Sequence, residues 1–99
     1  MLMKEIGTNE VRKVLLEVFK GYPLTRAYII NKTDKQLLKT NLNYEFSMDA
    51  NDFEKMFSIL CDLYGIKVYI CNPPSDCSFN KEQTVENFIK TVNCRLSHG

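Results

Sequence analysis

No apolar run in the sequence approaches the roughly 18 residues that a membrane-spanning helix needs, so no membrane association is expected. The start, Met1-Leu2-Met3-Lys4-Glu5, has neither the apolar centre of a secretory signal nor the Arg-rich amphipathic character of a transit peptide. The expected location is the cytoplasm, or an organelle matrix if a presequence has been removed. Histidine is nearly absent: His98 stands alone, in an end expected to fray. The four cysteines, Cys61, Cys71, Cys77 and Cys94, include no Cys-x-x-Cys pair. Zinc wants four closely paired ligands and a thiol nucleophile needs a positioned base, so neither a metal centre nor cysteine catalysis is expected. Cys71 and Cys77 bracket Asn72-Pro73-Pro74-Ser75-Asp76 and could close a small loop, but without a secretory signal free thiols are the expectation. Lys and Arg are not clustered with aromatic residues on one element, which argues against nucleic-acid binding. Repeats, low-complexity tracts and linkers are also missing. Residues 1–99 therefore read as one domain.

Net charge is only +1, but it is unevenly placed. Residues 1–43 hold eight Lys/Arg against four Asp/Glu, or +4. Residues 44–66 hold Glu45, Asp49, Asp52, Glu54 and Asp62 against Lys55, or −4. A one-signed patch steers partners of opposite sign. Solvated helix faces of no special meaning would give the same pattern.

Three segments carry a helical period. Thr8-Asn9 is positioned to cap a helix beginning near Glu10, with Val11, Val14, Leu15, Val18 and Phe19 on one face and Gly21 and Pro23 ending it. Asp49 opens a second helix, with Phe53, Met56, Phe57, Leu60, Leu63 and Tyr64 apolar and Gly65 as its C-terminal cap. Thr84 caps a third, where Val85, Phe88, Ile89, Val92 and Leu96 repeat the spacing. Leu15, Phe57, Leu60, Phe88 and Ile89 are expected to share one core. Residues 21–48 show no long period. Asp34–Leu38 could form one helical turn, and Ala27–Ile30 could be a short strand. Residues 66–70 alternate like a strand or an extended link, and Pro73-Pro74 makes 71–80 a loop. An all-α bundle of three or four helices with a long first loop is the expected fold. The rival is an α+β regulatory domain pairing Ala27–Ile30 with Lys67–Cys71.

Residues 49–68, Asp-Ala-Asn-Asp-Phe-Glu-Lys-Met-Phe-Ser-Ile-Leu-Cys-Asp-Leu-Tyr-Gly-Ile-Lys-Val, resemble the second helix of acyl carrier proteins. That family has an Asp-Ser-Leu-Asp/Glu motif, an apolar helix, an aromatic residue and a short turn into an aliphatic residue. Asp49, Asp52, Leu60, Tyr64, Gly65 and Val68 take the matching positions without a gap. Thr84-Val85-Glu86-Asn87-Phe88-Ile89 is similar to the family's closing helix. The resemblance implies a carrier for fatty-acid-type acyl groups rather than an enzyme. Its cofactor would be 4′-phosphopantetheine, esterified to a serine where backbone N–H groups at the helix start favour an anion. Partners would be carrier-dependent enzymes or a small helical adaptor, with the chain a monomer by itself. The docking residues implied are Asp49, Asp52, Phe53, Glu54, Met56 and Asp62. Phe53 is either an anchor in a partner's pocket or plain core.

Departures from the family pattern limit this reading. Ala50 occupies the attachment position and Asn51 the usual leucine. A methyl group forms no phosphodiester, so no prosthetic group is expected on this chain. Ser47, in Phe46-Ser47-Met48-Asp49, is the nearest hydroxyl, but its use requires a three-residue insertion ahead of Tyr64. Otherwise Ser47 is a helix N-cap or a loop residue. Three readings of Ala50 remain: an unloaded relative acting as adaptor or scaffold, a carrier whose serine was replaced naturally or by engineering, and loading at Ser47. The chain is also less acidic than the family. Residues 69–83 are longer than the family's short third helix.

Overall fold

The computed structural model describes residues 5–66, 77–79 and 83–98. Six helices lie among them: α1 (Thr8–Val18), α2 (Pro23–Asn31), α3 (Asp34–Leu38), α4 (Leu42–Phe46), α5 (Ala50–Tyr64) and α6 (Val85–His98). The fold is a small all-α bundle.

α1 packs on α2, α3, α5 and α6, so its apolar stripe is the centre of the molecule. Val11, Val14 and Leu15 are fully buried there. They meet Phe53, Met56 and Leu60 of α5 and Val85, Phe88 and Val92 of α6, all of them fully buried. The expected shared core holds: Leu15, Leu60 and Phe88 are at its heart, with Phe57 and Ile89 packed at its edge. α1 starts two residues earlier than the sequence suggested. Gly7, not Thr8 or Asn9, is its N-cap, because the Glu10 carboxylate reaches back and accepts from the Gly7 N–H at 2.6 Å.

The largest correction falls on residues 21–48, expected to be a long connection with one helical turn at Asp34–Leu38, the turn that α3 forms. They form three short helices, each with its own start signal. Pro23 supplies a preset φ at the first position of α2. Thr33 and Gln36 cap each other across α3, and Asn41 accepts from the Tyr44 N–H to open α4. None is long enough to show a period, so capping rather than patterning defines them. Ala27–Ile30 lies inside α2, and the strand expected there does not form. The α+β rival loses that half of its pairing; Lys67–Cys71 lies outside the described residues, as does most of 69–83. Ile29, Leu37 and Leu42 each send one side chain into the core, one from each short helix.

Three tethers close the bundle. Residues 40–42 run antiparallel to 83–85, with Leu42 N–H donating to Gln83 C=O at 2.8 Å and Val85 N–H to Thr40 C=O at 2.9 Å. The Asn93 side chain brackets Ile6, accepting from its N–H at 2.7 Å and donating to its C=O at 3.2 Å. Cys77 and Cys94 are joined by a disulfide, with Cα atoms 5.6 Å apart. This overturns the expectation of free thiols at Cys77 and Cys94 and excludes the possible Cys71–Cys77 closure: α6 presents Cys94 to the 77–79 segment. Cys61 is a free thiol, which burial pushes above its ordinary pKa, Asp62 adding to the shift and Arg95 opposing it. No helix among the described residues is long and apolar enough to cross a membrane.

Candidate docking face at the fifth helix

The start of α5 is built as the residue types predict. Asp49 is extended (φ −124°, ψ −175°) and is the N-cap. Its carboxylate accepts from the Asp52 N–H at 3.1 Å, and the Asp52 carboxylate accepts from the Asp49 N–H at 3.1 Å. Two orphan amides are thus satisfied reciprocally, and each carboxylate lies at the positive end of the helix dipole. Ala50 follows as the first helical residue, exposed, with Asn51 exposed beside it. At the far end Gly65 takes the left-handed conformation (φ 61°) and lets Ile66 N–H reach the Cys61 carbonyl at 2.9 Å.

Ser47 belongs to the other side of this junction. It is the C-cap of α4, in the left-handed region (φ 53°, ψ 37°), with its N–H on the Leu42 carbonyl. Ser47 is therefore not the N-cap of α5; Asp49 is.

The six residues expected on the docking face divide into three groups. Phe53 and Met56 are fully buried. They form the core stripe with Leu60 at i, i+3 and i+7, so their assignment to an exposed docking face is corrected. Asp49 and Asp52 are occupied in capping. Glu54 points across to α6, where Arg95 grips it with two nitrogens at 2.5 and 2.9 Å. The Arg95 side chain is only 4% exposed; it also donates to the Cys77 carbonyl at 2.7 Å and lies over the rings of Phe57 and Phe79. That cation, the disulfide and the phenylalanines form one structural knot. Sequence reading missed it because arginine is ordinarily read as exposed, although Arg95 continues the buried Val85, Phe88, Val92 spacing of α6. Asp62 remains exposed and, among the described residues, without an ion pair.

Beside Asp62 runs a groove of about 480 Å³ between α1 and α5. Val18, Met48, Ile59 and Leu63 give it an apolar floor, and Glu17, Asp52 and Asp62 outnumber Lys55 along its rim. A second hollow, of about 570 Å³ and lined mainly by polar residues, lies among α2, α3 and α4. There Tyr28 donates to Glu45, and Lys32 reaches Glu45 at 3.4 Å while lying over the Tyr28 ring. Burial works against the Glu45 carboxylate, but the Tyr28 hydrogen bond and the Lys32 charge outweigh it and hold its pKa below the usual value of 4.5.

A depressed acid contributes stability that is present above its unfolded pKa and lost as pH falls through its folded pKa. Glu45→Gln should therefore cost about 0–1 kcal/mol at pH 7, as for other surface pairs. The difference from wild type should vanish well below pH 4.5. Urea unfolding at neutral and acid pH checks this; an equal cost at both would remove the ion pair as its source.

Among the described residues, no three His, Cys, Asp or Glu side chains are grouped to hold a metal ion. Neither family models nor curated proteins nor solved structures gave a significant match to this chain.

Proposed function

We propose that this chain is an acyl-carrier-like domain that, with Ala50 in place, carries no prosthetic group and works by docking partner proteins at the start and outer side of α5. One observation carries the reading: Ala50 is the exposed first residue of a helix capped by Asp49 and Asp52. That is where the sequence resemblance sets the attachment serine, and a helix start favours the phosphate such a serine would bear. Partners of this class are carrier-dependent acyl-group enzymes or a helical adaptor, and the chain itself performs no chemistry.

The charges available for docking are fewer than the sequence suggested. Reversing Asp52 and Glu54 would strip the α5 cap and set an ammonium against the buried Arg95, so unfolding would obscure any docking effect. Asp62 is the side chain to change. On an Ala50→Ser background, Asp62→Lys should slow modification by a broad-specificity phosphopantetheinyl transferase about tenfold at low salt, the effect fading as salt screens it. The melting temperature should move little, since exposed charges contribute only about 0–1 kcal/mol. An unchanged rate would make the acidic side of α5 a plain solvated face. Wild type should gain no mass under the same conditions; a gain mapping to Ser47 would overturn the register.

A further inference from the structure

We infer that this chain self-associates head to tail, the exposed apolar face of α2 in one copy seating in the acid-rimmed α1–α5 groove of the next. α2 turns only part of itself inward. Ile29 is fully buried, and Arg26 donates to the Leu16 carbonyl. The outer face carries Leu24, 86% exposed, Ile30, 55%, and Tyr28, 48%, with Tyr22 at 62% just before the helix. Contiguous apolar exposure of this kind marks an interaction surface. Its ridge is pre-ordered, because Glu45 and Lys32 fix the Tyr28 ring.

Charge selects the occupant. Lys39 shares a hollow with Tyr28 and Lys20 stands two residues before Tyr22, whereas the nearby acids, Asp34 and Glu45, are already paired with Arg12 and Lys32. The groove is the counterpart: apolar floor, half-exposed Leu63, and a rim led by Glu17, Asp52 and Asp62. Ridge against ridge would crowd unpaired lysines, while ridge into groove sets them against carboxylates. A copy cannot fill its own groove. Arg26, on the inner side of α2, lines the hollow of about 380 Å³ that continues the groove past Glu17 and Leu63, and Leu24 and Tyr28 project from the opposite side of that helix. The contact is therefore heterologous and builds a ring or an open chain. It runs against the monomer expected from family resemblance. It also covers Asp62, so self-association and partner docking would compete.

Sedimentation velocity on the purified chain tests this without any loading reaction, so its outcome is separate from the carrier reading. At low salt and up to about 1 mM, where even weak contacts populate, the average mass should rise above the monomer and fall back with added salt. Leu24→Asp and Leu63→Lys, both at exposed side chains, should each be monomeric. Mixed together they should form a dimer and stop, because one keeps a groove and the other a ridge. Asp62→Lys replaces Leu63→Lys if circular dichroism shows that variant unfolded. A wild type monomeric at the highest concentration, single variants that still associate, or a mixture that stays monomeric would each overturn the proposal.

Discussion

Truncating Phe53 to alanine is expected to destabilise the protein by about 3–5 kcal/mol, the usual range for a buried phenylalanine. The side chain is fully buried, with ring centroids 6.1 Å from Phe79 and 6.4 Å from Phe88. Phe79 and Phe88 stack in turn at 5.2 Å, so one ring on α5 supports both the 77–79 segment and α6. Removing it leaves a cavity whose walls are helices already fixed by other contacts, and little of the loss is recovered by collapse. Urea denaturation measures the cost. A value below about 1 kcal/mol would return Phe53 to the surface and to the role of partner anchor.

Opening the Cys77–Cys94 disulfide is expected to cost about 2–4 kcal/mol. The bond closes a loop across 17 positions of sequence, and its main effect is to restrict the unfolded chain. Arg95 is next to Cys94 and donates to the Cys77 carbonyl, so loosening the 77–79 segment also takes a hydrogen-bond acceptor from a nearly buried guanidinium. A Cys77→Ala, Cys94→Ala double variant and reduced wild type should lose similar stability in urea, with the helical circular dichroism of the native state retained. Stability insensitive to both treatments would mean that the 77–79 segment is held by its aromatic and polar contacts alone.

The three long helices were legible because each repeats an apolar face over at least three turns and begins or ends on a recognisable capping residue. Asp49, Gly65 and Thr84 do what their types suggest, Thr84 accepting from the Asn87 N–H at 3.1 Å. Of the short helices only α3 was legible, as the turn expected at Asp34–Leu38; α2 and α4 were not, since each buries a single side chain and shows no period. Ala27–Ile30 read as a strand because Tyr28, Ile29 and Ile30 are β-favouring and consecutive; the α1 surface accepts only Ile29, and a helix satisfies that with its own backbone bonds. The candidate site was legible in position and less so in content. Composition located the acid-rich stretch, but Glu54 is drawn to Arg95, 41 residues away, and no local pattern announces such a pair. The apolar face of α2 went unnoticed for the same reason: exposure depends on what the rest of the chain leaves uncovered.

The central claim is that α5 begins where a carrier's prosthetic group would be attached, with only the oxygen missing. Intact-mass spectrometry of the Ala50→Ser variant, after incubation with coenzyme A and a broad-specificity phosphopantetheinyl transferase, tests it most directly. The account predicts a single addition of about 340 Da, the mass of the phosphopantetheine arm, mapping to position 50 and absent from wild type. A folded Ala50→Ser variant that gains nothing, under conditions that load an acyl carrier protein control to completion, would contradict it.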